Sequence, residues 1–131
     1  MGKPYLIGAS PDSVVKLDVF NSMDPFFQDL IEVDNVRLAT EEEIIALKVD
    51  VVQRQGRKKD FWDLHELLSK YSVNAMIDLH RKRFEWTHDE DLIRRNFIDF
   101  KFADEEFNPI CLRNKDWVFI KDDIIEAVQL D

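Results

Sequence analysis

Apolar and polar residues alternate along the first part of the chain. The clearest example is a run in which Val15, Leu17 and Val19 share one face of an extended chain. Asp34–Asn35 predicts a tight turn, because both residue types favour turns. These patterns predict a β region over 1–39 with strands at 14–20, 30–33 and 36–38.

Beyond the β region the apolar residues recur at helical spacing. Thr40 with Glu43, and Thr87 with Glu90, each form the sequence signature of a capping box at a helix start. Gly56 is typical of a helix end. The five predicted helices begin at Thr40, at Lys58 or Lys59, at Ser72, at Thr87 and at Asp116, and the second is expected to end at Tyr71.

The two patterns together predict an α+β fold. A small N-terminal β-sheet precedes a bundle of about five helices over 40–131. A length of 131 residues is typical of a single domain. Apolar residues make up 45% of the chain and include ten Phe and three Trp, so it can bury a hydrophobic core.

The charge of the chain limits its partners. The net charge of −9 argues against a surface built throughout to neutralise phosphates, so an anionic ligand is expected only near a local basic cluster such as 57–59 or 81–83. One cysteine, Cys111, excludes an internal disulfide and fits a reducing compartment. Apolar runs fall far short of the roughly 20 residues of a membrane span. We therefore expect a cytoplasmic protein with no membrane segment.

Lys48 interrupts the apolar stripe of the first predicted helix. Burying an ammonium group without a partner is costly, so the residue has three outcomes. Its head extends to solvent, it pairs with a carboxylate, or it lines a cleft that holds an anion.

Asp60 interrupts the stripe of the second predicted helix in the same way, with Asp63 at its flank. Asp60 either caps the helix start, pairs with Lys48, or forms one wall of a polar cleft. The cleft would include Lys48 and the nearby cations Arg54, Arg57 and Lys59.

Asp18 lies mid-strand, where aspartate is disfavoured, so it is either a ligand or a surface residue beside Lys16. The histidines show no metal-ligand spacing, and His80 is expected to be a hydrogen-bonded core residue. Cys111 is expected to be a core or loop thiol, and no nucleophile motif is present.

Two stretches of the sequence carry a family resemblance. One runs over 36–48, and the other runs over 54–64 and contains Lys59-Asp60-Phe61-Trp62-Asp63-Leu64. They resemble the C-terminal half of the AbiEii-type nucleotidyltransferase-like toxins, in which a lysine-bearing helix precedes an arginine, a glycine turn and a K/R-D-[FY]-x-D-L helix. Residues 102–106 and 117–121 resemble the tail of that family, and the likeness begins at about residue 14.

The resemblance implies a DNA polymerase β-like nucleotidyltransferase core and a helical C-terminal region, in a toxin of a toxin–antitoxin or phage-defence system. Such toxins use a nucleoside triphosphate and Mg²⁺ to move a nucleotide onto an acceptor such as RNA, and are paired with an antitoxin. Lys48 would be the catalytic lysine near the triphosphate, Asp60 and Asp63 the paired catalytic aspartates, and Asp18 a metal ligand. The nucleotide-binding residues would be Lys48, Arg54, Arg57 and Lys59.

The sequence departs from the family pattern upstream of Asp18. Family members carry a glycine-serine turn and a D-x-D strand there, whereas only about seventeen residues precede Asp18, with Gly8–Ser10 too close to it. We therefore expect a truncated or degenerate member without autonomous nucleotidyl transfer. Exposed strand edges would favour a homodimer.

Two other interpretations stay open. In one, the chain is a structural or protein-interaction module in which Lys48 and Asp60 form an internal salt bridge. In the other, it is a nucleotide-binding part that another chain completes.

Overall fold

The computed structural model describes residues 3–19, 21 and 25–131. Within them four strands precede five helices, which confirms the α+β class. The strands are β1 (Lys3–Ile7), β2 (Val15–Val19), β3 (Ile31–Val33) and β4 (Val36–Leu38). The helices are α1 (Glu41–Gln53), α2 (Lys58–Leu67), α3 (Val73–Arg83), α4 (Glu90–Phe97) and α5 (Trp117–Leu130).

The strands form two antiparallel hairpins, each a two-stranded sheet of its own. β1 pairs with β2 so that Lys3 lies opposite Val19, and β3 pairs with β4 so that Ile31 lies opposite Leu38. All residues of the four strands are exposed. β1 was not among the predicted strands, and Phe20 at the predicted end of β2 lies outside the described residues.

The predicted turn at Asp34–Asn35 is confirmed. Asp34 has a φ of 51° and Asn35 a φ of 65°, so both central residues are left-handed, as a type I′ hairpin turn requires. Asp and Asn are among the few side chains that adopt this conformation readily.

The start of α1 is as predicted and its end differs. The Thr40 side chain accepts a hydrogen bond of 3.1 Å from the Glu43 N–H. The left-handed residue at the helix end is Gln55, with a φ of 72°, and not Gly56. Gly56 is needed for another reason, because a Cβ there would lie 2.8 Å from Cγ2 of Val52.

The other helix starts divide into confirmed and corrected predictions. Ser72 and Asp116 cap α3 and α5 as predicted. The prediction that Thr87 caps α4 was wrong, because its N–H closes the turn after α3 and the Asp89 carboxylate accepts from the Leu92 N–H instead. The second helix ends at Leu67, four residues before the predicted end.

The hydrophobic core lies in the helical region, between Ile45 and Ile124. α1 packs against α3, α2 and α4, and α5 closes the core against α2 and α4. Phe61 of α2 meets Phe100 edge to face at 5.0 Å between ring centroids, and Phe100 meets Trp117 of α5 at 5.6 Å. Across the described ranges, no helix is both long and apolar enough to cross a membrane.

Candidate functional site

Packing of α1 on α2 brings Lys48 against two aspartates. Its Nζ lies 3.1 Å from Oδ1 of Asp60 and 2.9 Å from Oδ2 of Asp63. Asp60 and Asp63 are three residues apart, so both side chains lie on the same face of α2. The Lys48 side chain is 26% exposed, that of Asp60 6% and that of Asp63 54%. The cluster is thus closed at Asp60 and open to solvent at Asp63.

Asp60 also holds the start of α2. Its Oδ2 accepts a hydrogen bond of 2.9 Å from the Arg57 N–H, while its Oδ1 accepts from Lys48. The predicted roles of Asp60 as a helix cap and as a partner of Lys48 are therefore both present in one carboxylate. A negative charge in the first turn is also stabilised by the helix dipole.

The two aspartates keep Lys48 protonated. Burial alone would lower the pKa of Lys48, but the hydrogen bonds and charges of Asp63 and Asp60 together outweigh it and raise the pKa above its usual value. An ammonium group has three N–H donors. Two are directed at the aspartates, so the third remains for a ligand that reaches the site from solvent.

The other predicted nucleotide-binding cations lie in separate contacts. Arg54 pairs with Asp50 at 2.9 Å along α1, and Arg57 pairs with Glu106 at 2.8 Å. Lys59 is exposed and lines a groove of about 160 Å³ beside Arg57 and Phe107. The structure therefore brings Lys48, Asp60 and Asp63 together and places the arginines and Lys59 around the start of α2.

Asp18 lies on the first hairpin. Its carboxylate is 3.5 Å from Nζ of Lys16, and both side chains are more than half exposed. This matches the surface interpretation of Asp18. Gly8, in the segment that resembles a glycine-serine turn, has a packing role here, because a Cβ on it would lie 2.3 Å from the Ser13 carbonyl oxygen.

Two buried polar contacts escaped sequence reasoning. Glu43 and Arg83 form a closed ion pair between α1 and α3. Lys58 is buried, and its Nζ bonds to the Glu106 carbonyl at 2.6 Å. The only signals for these contacts in the sequence are charged residues at apolar positions. Such a residue does not indicate which partner, 40 or more residues away, it will contact.

A further buried polar contact confirms the prediction for His80, a buried histidine with hydrogen-bond partners. Its Nε2 lies 3.0 Å from Asp50 and its Nδ1 lies 2.8 Å from Nδ1 of His88. Burial lowers the pKa of His80 despite the opposing effects of Asp50, and burial also lowers the pKa of His88.

A family model described as "Nucleotidyl transferase AbiEii toxin, Type IV TA system" matches residues 4–130. The chain belongs to this family. No curated protein and no solved structure matches it. The AbiEii match spans β1 to α5, so it includes both helices that carry the lysine and the aspartates.

Membership in the AbiEii family shows a nucleotidyltransferase-like toxin, and a Type IV toxin–antitoxin system implies an antitoxin partner. Such enzymes generally use a nucleoside triphosphate and Mg²⁺. Mg²⁺ takes oxygen ligands in near-octahedral geometry. In the part of the chain that the structure describes, no three His, Cys, Asp or Glu side chains converge so as to hold a metal ion, and Lys48 already occupies Asp60 and Asp63. These residues do not fit a metal centre by themselves.

Proposed function

We propose that this AbiEii-family chain engages the phosphates of a nucleoside triphosphate with Lys48, which Asp60 and Asp63 hold in place. The supporting observation is that the two aspartates contact the ammonium group, at 3.1 and 2.9 Å. These contacts leave one of its three N–H donors for a phosphate oxygen. A lysine held in this way is a compact point charge that suits phosphate oxygens.

The three residues have different roles in this proposal. Asp60 is buried and bonded to the start of α2, so it orients Lys48 and does not contact substrate. Asp63 is half exposed, so it and Lys48 are the pair that contacts substrate. Two carboxylates more than neutralise one ammonium, so the triphosphate also requires the exposed cations Arg54, Arg57 and Lys59.

The proposal includes a limit on catalysis. Nucleotidyl transfer relies on carboxylates gathered around metal ions. Asp18, the predicted metal ligand, is exposed and paired with Lys16. We infer that the chain by itself binds the nucleotide without transferring it, and that an RNA acceptor is used only when another chain or segment supplies the missing carboxylates.

Nucleotide titration tests the binding part. We expect isothermal titration with ATP or GTP and Mg²⁺ to show binding that Lys48→Met weakens by at least about tenfold, since a charge-assisted contact is lost. Lys70→Met is the matched control, because Lys70 is also paired with a carboxylate, Glu41 at 2.9 Å, but is exposed. Equal binding by the wild type and Lys48→Met would overturn the proposal.

A transfer assay tests the catalytic limit. Labelled nucleoside triphosphate, Mg²⁺ and RNA are incubated with the chain alone, and we expect no labelled RNA. Turnover that disappears in Asp18→Ala would show that the chain is an active enzyme with Asp18 as a ligand.

The hydrogen bond from Arg57 N–H to Asp60 supports a second candidate function, that of a structural or protein-interaction module. In that case Lys48 serves only to neutralise Asp60. The distinguishing result is that the wild type would then give no heat on titration with either nucleotide, because Lys48→Met is expected to lower stability in either case.

A further inference from the structure

The loop over 107–115 presents apolar side chains to solvent. Phe107 is 99% exposed, Ile110 96% and Leu112 95%. The loop is nonetheless held at both ends, by a 3.1 Å hydrogen bond from Lys58 to Asn108 and one of 3.1 Å from Lys115 to the Trp62 carbonyl. Exposed apolar groups on an anchored loop are typical of a contact surface.

The surroundings of this apolar loop are cationic. The loop itself contains Arg113 and Lys115 and no carboxylate. Arg57 and Lys59 flank Phe107 in the neighbouring groove. Arg57 pairs with Glu106, and Arg113 and Lys115 both pair with Glu66. Asp116 follows the loop directly, so these four cations lie beside three carboxylates.

A groove whose rim is acidic, opposite in charge to the loop, lies between the end of α2, the start of α3 and α5. Its volume is about 440 Å³, and Leu68, Val73, Ala127 and Leu130 form its apolar part. Its other lining residues include the three carboxylates Asp123, Glu126 and Asp131. In the described chain, neither lysine nor arginine lines it.

We propose that the apolar loop of one copy of this chain inserts into the acidic-rimmed groove of a second copy. Each surface supplies what the other lacks, because apolar side chains meet an apolar groove and cations meet carboxylates. The Lys48 cluster lines neither surface, whereas Arg57 and Lys59 beside the loop are also the cations assigned above to the triphosphate.

His65 supports a reciprocal arrangement. Its Nδ1 lies 3.1 Å from Nζ of Lys115 at the end of the loop, and its Nε2 lies 2.8 Å from Asp123 in the groove. The loop and the groove are therefore neighbours on one side of the molecule. A two-fold axis would let each copy donate a loop and receive one, which closes the assembly as a dimer.

Sedimentation equilibrium of the full chain tests this contact. We expect a monomer–dimer equilibrium whose dissociation constant rises at least about tenfold in Ile110→Asp and in Leu130→Lys. Each variant places like charges together in the contact. Both residues are largely exposed, so the melting temperature of the monomer, measured well below the dissociation constant, should not change. Phe119→Asp is the control, because Phe119 is 68% exposed on α5 and lines neither surface.

Mixing the two variants gives the decisive measurement. In a mixed dimer one contact is wild type and the other joins the new aspartate to the new lysine, so association should return. A wild type that stays monomeric at every concentration tested would overturn the proposal. So would a dimer that Ile110→Asp leaves intact, and a dimer that Leu6→Asp in β1 dissociates would move the contact to the hairpin.

Discussion

Two charged clusters on α1 differ in how completely the fold encloses them. Near the helix start, Glu43 pairs with Arg83, and the two side chains are 1% and 3% exposed. One and a half turns later Lys48 pairs with Asp60 and Asp63, of which Asp63 is 54% exposed. The first cluster is sealed between helices, and the second opens to solvent.

Each member of the sealed pair has a further contact. Glu43 also accepts from the Gln28 N–H at 3.2 Å, and the Arg83 guanidinium lies 4.6 Å from the ring centroid of Phe84. Such a pair joins α1 to α3, and both of its side chains are almost fully enclosed. The open cluster keeps an N–H donor and an exposed carboxylate, which is why we assign function there and structure to the pair.

The largest expected effect comes from breaking the sealed pair. Glu43→Leu leaves the Arg83 guanidinium buried without its carboxylate, so the free energy of unfolding should fall by about 3–5 kcal/mol. Urea denaturation followed by circular dichroism measures it.

The double variant Glu43→Leu with Arg83→Met is the control. It removes both charges, and replacing a whole buried pair with apolar groups is often neutral. Stability should therefore return most of the way. A double variant as unstable as the single one would mean that packing, and not the unpaired charge, causes the loss.

The sequence predicts the open cluster better than the sealed one. Lys48 and Asp60 each interrupt an apolar stripe, and they lie in adjacent helices joined by a short turn, so their meeting follows from local spacing. The pairing of Glu43 with Arg83 depends on how α3 packs on α1, which helical periodicity does not specify.

In the β region, too, local features are predictable from the sequence and non-local contacts are not. β2 and the turn at Asp34–Asn35 are predictable from residue types, because β-branched residues and left-handed turn residues act locally. β1 is not, since Pro4 and a short run weaken its pattern. Its existence depends on pairing with β2, which is a non-local contact.

A second expected effect is acid destabilisation through His80, which is buried, and His88, which is half-buried. Burial lowers the pKa values of His80 and His88 in the folded chain below the ordinary histidine value of about 6.5. As pH falls below about 6.5 the unfolded chain takes up protons that the fold resists, so stability present above that pH is lost. The slope should be at most about 1.4 kcal/mol per pH unit for each group.

Urea midpoints between about pH 7.5 and 5.5 measure this slope before most carboxylates titrate. Asp50, Asp89 and Glu90 favour protonation of this pair and Arg81 opposes it. His80→Gln should flatten the profile even if its overall stability is lower. An unchanged slope in that variant would assign the acid effect to other groups.

Breaking the Lys48 cluster should lower the free energy of unfolding less than breaking the pair of Glu43 and Arg83. Lys48→Met leaves Asp60 bonded to the Arg57 N–H and Asp63 in solvent, so we expect a loss of about 1 kcal/mol. Urea denaturation of Lys48→Met and of Glu43→Leu under the same conditions gives the ratio of the two losses in unfolding free energy. Equal losses would mean that the Lys48 cluster is as structural as the sealed pair.

The smallest expected effect on stability is at Asp63. A variant there separates a nucleotide-binding role from a structural role most sharply. Asp63→Asn removes a charge that is half exposed and screened by water, so the free energy of unfolding should change by less than about 0.5 kcal/mol. The pKa of Lys48 should fall, because the hydrogen bond and charge of Asp63 are the largest effects that raise it. The dissociation constant of the nucleotide should change far more than the stability, since Asp63 is the more exposed of the two aspartates that contact Lys48. An Asp63→Asn variant that loses stability but titrates like the wild type would place Asp63 with Glu43 among the structural carboxylates.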